Sequence, residues 1–372
     1  MLGFLKPRYR KEGLALHKHA TRLLRYRKDI LRPEALDEAR AAITRLEGAL
    51  RSRDKEGTFK TMEGVEAVFK RLIPAQKDAA WRENVEVFLV AIVLALGVRA
   101  YFLQPFTIPT GSMQPTLNGI VGTKSDAPLP NPIIRLWDQA VLGKSHFRTV
   151  AKADDEILKL GEKRRLRFFT YTEVQGRKGR YSVPAPLQVS MRDFGLRVGM
   201  RFKRGDVIAA GRVAAGDHVF VDKTSYHFTQ PKRDDVFVFK TTGIKFIEHS
   251  LRMQGLEGSQ YYIKRLVGLP GDRLRVDPPS LFVNGKVAGG RGSRRVMAAQ
   301  GDYKGYSPGP EGGLLSSPAR EYRLPNNAYF AMGDNSYNSS DSRFWGPVPE
   351  LNLTGRGLFV YWPFGKHWGL IR

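Results

Sequence analysis

The sequence predicts a mainly β C-terminal region built of antiparallel sheets, behind one transmembrane helix and a helical, charged N-terminal segment. Three observations carry this. Leu36, Ala39, Ile43, Leu46 and Leu50 recur at helical spacing among Arg and Glu residues. Val87–Val98 is an uninterrupted apolar run of 12. Asp217–Asp222 (DHVFVD) and Asp235–Lys240 (DVFVFK) alternate as half-buried strands do.

The chain of 372 residues has room for two or three domains. Lys+Arg number 61 against 36 Asp+Glu, a formal net charge of +25. That balance suits a polyanionic partner, nucleic acid or an anionic membrane surface. The charge is spread over all segments rather than interleaved with stacking aromatics on one surface. Anionic lipid is therefore expected, and nucleic acid is not. The absence of cysteine excludes a thiol nucleophile, a disulfide framework and cysteine-ligated zinc. No metal or cofactor is expected; the pair His17 and His19 lacks partner ligands.

Residues 1–84 read as a soluble helical segment with 20 Lys+Arg and 12 Asp+Glu, and Pro33 after Arg32 marks a helix start. No secretory signal is visible, because Met1–Leu5 is followed at once by Lys6, Arg8, Arg10 and Lys11. Val85–Leu103 is the membrane candidate. Its apolar run extends past Arg99, whose side chain can snorkel to the interface, with Tyr101 and Phe102 in the aromatic belt. Trp81 and Glu86 suit the opposite boundary. Length alone leaves a buried soluble helix as the alternative. Dense Lys/Arg before the run favours a cytoplasmic N-terminus, so residues 104–372 are expected on the outer face of the cell membrane.

Gln104–Leu117 (QPFTIPTGSMQPTL) follows directly. Pro105, Pro109 and Pro115 forbid a continued helix and favour extended backbone with a break at Gly111. Ser112 sits at that break. By itself the stretch also reads as a proline-rich linker. A serine nucleophile needs a base. His218, His227 and His249 have no triad context. Thr110 stands where a G-x-S-x-G elbow needs its first glycine, and Ser52…Lys55 lies in a charged helix before the span. Lys264, in Tyr261–Val267 (YYIKRLV), has apolar neighbours that can depress its pKa by burial. Alone it reads first as a solvated lysine on a strand edge. Leu166–Val174 and Arg180–Val189 look like strands. Gly143-Lys144-Ser145 is no phosphate loop, since Asp138 occupies the required first glycine. Ser280–Val283 is a further short strand. Gly333–Pro349 (GDNSYNSSDSRFWGPVP) is rich in turn residues.

Three of these segments, in this order, resemble the boxes of the type I signal peptidases (leader peptidases): Arg99–Leu117, Gly216–Asp272 and Gly333–Pro349. The resemblance implies a signal-peptidase-like β fold and Ser112 as nucleophile with Lys264 as general base. It implies Thr110 and the Ser112 N–H as oxyanion donors. Ser339 would support the lysine amine, and Asp341 and Arg343 would brace the site. Ile108, Pro109, Met113, Leu117, Tyr262 and Ile263 match positions lining shallow pockets for small side chains. Tyr226 and the Pro231-Lys232-Arg233 turn also match. Residues 118–215 look like an insertion, and a second β-subdomain is expected at about 273–329. Ser336-Tyr337 departs from the Arg-Asp of many members. The implied protein is a membrane-anchored serine endopeptidase acting on signal peptides of exported preproteins. A catalytically inactive homologue that binds signal peptides, or a membrane-tethered nucleic-acid-binding protein, is the alternative.

Overall fold

The computed structural model describes residues 7–72, 79–165, 169–253 and 258–371. Contacts divide the chain into two compact units, Met1–Val93 and Leu94–Arg372. In the first, helices α1 (Arg8–Arg27), α2 (Pro33–Ser52) and α3 (Lys55–Leu72) enclose a core that includes Ala39, Leu46, Val65 and Phe69. Pro33 opens α2 as expected, where its missing N–H costs nothing. Gly13 lets α1 approach α2; a Cβ there would lie 2.9 Å from Leu50 Cδ2. His17 lies 4.0 Å from Glu47, and no metal-ligating cluster occurs among the described residues.

Helix α4 (Ala79–Tyr101) replaces the expected Val85–Leu103 and is fourth in chain order rather than at the N-terminus. Its Trp81–Tyr101 portion is long and apolar enough to cross a membrane, and none of its apolar window is buried. It stops short of Leu103 because Leu103 already pairs with Asp222 in a sheet. Lys223 Nζ caps the helix end, donating to Ala100 O at 2.8 Å.

Strand β1 (Leu103–Thr107) follows α4 as an edge strand of the main sheet, a place where Pro105 is tolerated. The chain then leaves for the insertion and returns at Asp217. Asn118 N–H donates to Asp217 Oδ2 at 2.7 Å, and Asp217 N–H donates back to Asn118 O at 2.9 Å. Between them lie β2 (Val121–Lys124), α5 (Pro132–Ala140), β3 (Lys144–Val150), β4 (Asp155–Arg165), β5 (Phe169–Gly176), β6 (Arg180–Val183), β7 (Arg201–Phe202) and β8 (Val207–Ala214). They form sheets ordered β2-β8-β3 and β6-β5-β4-β7, sharing a core that includes Phe147, Val174, Val183 and Ile208. The predicted strand Arg180–Val189 ends at Val183. Pro184 and Pro186 break it, and Val189 is buried from a short helix, Leu187–Arg192, instead. Of the predicted strand Leu166–Val174, residues 166–168 lie outside the described residues, and the rest is β5.

DHVFVD and DVFVFK become β9 (His218–Asp222) and β10 (Val236–Lys240). YYIKRLVG is β11 (Tyr261–Gly268). Strands β12 (Arg273–Asp277), β13 (Ser280–Val283), β14 (Lys286–Val287) and β15 (Tyr322–Arg323) make a separate four-stranded sheet around Leu274, Leu281 and Tyr306. The β13–β14 hairpin turns on Asn284 and Gly285, with φ of 51° and 78°, as a tight two-residue turn requires. Then β16 (Ala328–Met332), β17 (Val348–Pro349), β18 (Leu353–Trp362) and β19 (Gly369–Leu370) complete the main sheet. Its order is β1-β9-β18-β10-β11-β16-β17, with β19 on β18, antiparallel throughout. Thus β9 and β10 are not a hairpin; β18 lies between them.

Candidate active site

Pro109 and Thr110 stay extended after β1, and Gly111–Met113 forms a single 3-10 turn. Met113 and Leu117 anchor that turn in a core with Ile108, Val219 and Val238. Ser112 is thereby fixed and nearly buried. On β11, Lys264 sits opposite Phe237 of β10 and is 5% exposed. The structure brings these two predicted residues together: Lys264 Nζ lies 2.7 Å from Ser112 Oγ, across 152 residues of sequence. Burial pushes the Lys264 amine down to about 8, Asp341 holds it up, Arg343 lowers it further, and Asp334 raises it.

The loop after β16 closes over the serine turn. Asn335 N–H donates to Ser112 O at 3.0 Å, and Asn335 Nδ2 to Gly111 O at 3.2 Å. Gly333 leaves no room for a side chain, since a Cβ would stand 2.2 Å from Ser339 Oγ and 2.6 Å from Ser112 O. Asp341 accepts Gly333 N–H at 3.0 Å and a bidentate pair from Arg343 at 2.7 and 2.8 Å. Arg343 also donates to Ser336 O at 2.7 Å and Ser307 O at 2.9 Å. Asp341 and Arg343 therefore tie the loop to Gly333, Ser307 and Ser336. Ser339 does not behave as implied: its buried Oγ makes no hydrogen bond and does not touch Lys264 within bonding distance.

Thr110 is exposed, with Oγ1 3.4 Å from Ser112 Oγ. Pro109 is exposed as well, and Tyr262 and Ile263 are half-buried. Ile108, Met113 and Leu117 are core residues that hold the turn from below. The histidines stand elsewhere. His218 packs edge-on against Trp362, and His227 and His249 are exposed.

A second buried network escaped the sequence reading. Arg265 donates to both oxygens of Asp334, at 2.7 and 2.6 Å, and to Thr116 Oγ1 at 3.1 Å. Thr116 donates to Asp334 in turn. These residues flank the serine turn, Lys264 and the closing loop, so one ion pair ties all three segments. Successive strand residues face opposite ways, which sends Arg265 away from Lys264. Gly292 makes the space, because a Cβ there would lie 2.1 Å from Arg265 Nη1. The sequence held one signal for this: two adjacent cations in an otherwise apolar strand leave at least one to be buried and paired.

Comparison with known proteins first gives the class, a peptidase. The family model described as "Signal peptidase, peptidase S26" matches residues 202–362, which contain Lys264, Ser339, Asp341 and Arg343 but not Ser112. "Signal peptidase I" of Leptolyngbya laminosa is 29% identical over 192 residues, covering 49% of this chain and 83% of that protein. "Probable signal peptidase I-2" of Synechocystis sp. is 31% identical over 150 residues, 40% of this chain and 56% of its own length. "Signal peptidase I" of Bacillus amyloliquefaciens is 33% identical over 153 residues, 39% of this chain and 76% of its own. The chain belongs to the signal peptidase I (peptidase S26) family.

Proposed function

We propose that the protein is a membrane-anchored serine endopeptidase that removes signal peptides from exported preproteins with a Ser112/Lys264 dyad. The observation that carries this is the 2.7 Å approach of a buried lysine amine to a buried serine hydroxyl. An amine pushed down to about 8 is neutral in a useful fraction of molecules near neutral pH. Neutral Lys264 takes the Ser112 proton as Oγ attacks the scissile carbonyl. The Ser112 N–H and the Thr110 hydroxyl stabilise the oxyanion. The lysine, now protonated, gives its proton to the leaving amine. Water then cleaves the acyl-enzyme, with Lys264 again as base.

Helix α4 supports a single span with residues 1–84 on the cytoplasmic side and the β region outside, next to anionic lipid. Lipid contact rests on charge alone. Protease added to intact cells should digest the β region and leave α1–α3; a protected β region would end the topology. The functional test is cleavage of a preprotein by the detergent-solubilised chain, with product N-termini sequenced. Wild type should cut after the signal peptide and Ser112→Ala should not. Equal cutting by both would end the reading.

A further inference from the structure

Ser112 lies between two backbone carbonyls, and one residue holds both. Asn335 N–H donates to Ser112 O at 3.0 Å, and Asn335 Nδ2 donates to Gly111 O at 3.2 Å. Both bonds end on backbone oxygens, not on Ser112 Oγ or Lys264 Nζ. The amide of Asn335 is itself oriented. Asn338 Nδ2 donates to Asn335 Oδ1 at 3.2 Å, which leaves Nδ2 to face Gly111 O. Asn338 N–H also donates to Asn335 O at 2.9 Å, so the 3-10 turn Ser336–Asn338 backs the clamp. The consequence lies on the other edge of the same peptide unit. The Gly111–Ser112 peptide is planar and trans, so its N–H points opposite to its C=O. Holding Gly111 O therefore fixes where the Ser112 N–H points. Gln114 N–H also donates to Gly111 O, at 3.1 Å, but that bond belongs to the serine turn and moves with it. Asn335 reaches in from outside the turn. Gly111 has no side chain of its own to resist rocking of the plane.

We propose that Asn335 is a positioning residue that aims the Ser112 N–H at the oxyanion. The assignment rests on the peptidase reading above, in which that N–H is one of two donors. Such a donor is effective when its direction is set before charge develops. The Thr110 hydroxyl rotates to suit its acceptor. A backbone N–H has no such rotor, so its aim depends on what holds the peptide plane. Asn335 touches no reacting atom. Its effect belongs to the tetrahedral state and not to substrate binding.

The test uses the full chain in detergent. Asn335→Leu keeps the volume and removes the side-chain donor without adding charge. Its kcat on a preprotein should fall about 30-fold, with KM within about threefold of wild type. A peptide boronic acid ending at the cut reads the tetrahedral state directly. Ser112 Oγ adds to boron, its proton passes to Lys264, and a boron-bound hydroxyl takes the oxyanion position. Asn335→Leu should weaken this adduct by the same factor, about 30-fold. The same peptide as a carboxamide stays trigonal and should bind both proteins alike. The midpoint of the pH–rate profile should stay in place, because the clamp does not reach Lys264. Asn338→Ala, at an exposed position, frees the Asn335 amide and should show the same split at about fivefold, which keeps the test open if Asn335→Leu fails to fold. Tyr337→Ala, an exposed change in the same turn, should leave kcat and adduct within about twofold. Equal weakening of carboxamide and boronate overturns the proposal, as does a shifted midpoint or an undiminished kcat. An equal loss in Tyr337→Ala also overturns it. Cleavage by wild type and by Ser112→Ala is scored separately. Wild-type cleavage with an unimpaired Asn335→Leu removes the clamp and leaves the peptidase; no cleavage by wild type removes both.

Discussion

The main sheet and the insertion are both antiparallel β structures, yet they handle charge in opposite ways. Around β11 and β16 the interior holds Lys264, Arg265, Asp334, Asp341 and Arg343, each at most 5% exposed. The insertion buries one carboxylate, Asp155, which accepts from Glu156 N–H, Lys178 N–H and Tyr181 O–H, while the lysine and arginine members of its ion pairs, such as Lys163 with Glu173, are exposed. A buried cation is tolerated only with partners, and Arg265 and Arg343 have theirs. Lys264 has no carboxylate in contact, only a hydroxyl, so burial acts on its proton affinity instead. The difference teaches that the paired arginines are scaffold, while the unpaired lysine is the cation left available for the proposed chemistry.

The comparison is broken most severely at the lysine. Lys264→Arg keeps a cation that stays protonated in the working range. It should lose as much activity as Ser112→Ala, at least about 10³-fold in kcat, because a catalytic unit fails as a unit. Near wild-type cleavage by Lys264→Arg would move the search to His218, His227 or His249. Next come the paired groups. Asp334→Asn removes the bidentate partner of buried Arg265, leaving only Asp234 Oδ1 at 3.8 Å, and should destabilise by about 3 kcal/mol in denaturant unfolding. Lys163→Ala in the insertion should cost only about 0.2–1 kcal/mol.

The third outcome concerns pH. In the proposed dyad Lys264 works as a neutral amine, so activity should rise with pH through about 8 and fall on acidification. Linkage gives the matching sign for stability. The folded amine is depressed below its unfolded value, so between about 8 and 10.5 the unfolded chain binds more protons and stability rises with pH. A flat pH–rate profile across this range would contradict the assignment. The smallest effect is expected at Ser339. Its hydroxyl is buried with nothing to bond, so Ser339→Ala should change stability by less than about 1 kcal/mol. Its activity should fall less than that of Lys264→Ala. A loss as large would mean that the hydroxyl turns onto the amine during turnover.

What the sequence disclosed follows the same division. The proximity of Ser112 and Lys264 and the pairing of Asp341 with Arg343 were legible because the proposed chemistry needs particular residue types in particular segments. The alternation in β9, β10 and β11 was legible because one face of each is buried. Other elements were hidden by their composition. Strand β4 (DEILKLGEKRR) carries too many charges to alternate, and β18 (LTGRGLFVYW) contains two glycines and pairs across register shifts. Asn335, Thr116 and Asp334 were missed because their bonds join residues far apart in sequence, as the 218 positions between Thr116 and Asp334 illustrate. The end of α4 was misread by two residues because helix and strand meet there in one continuous apolar run.

The paired bonds between Asn118 and Asp217 bear on how the chain reaches its fold. The insertion leaves and rejoins the main sheet at one point, like a lobe on a short neck. Bringing together the ends of a flexible loop of about a hundred residues costs roughly 4 kcal/mol in chain entropy. A lobe that folds first around its own core brings those ends together by itself. The serine turn and β9 then meet as though they were neighbours in sequence. Folding of the main sheet should therefore wait on the lobe, and a short turn in its place should speed that step rather than slow it.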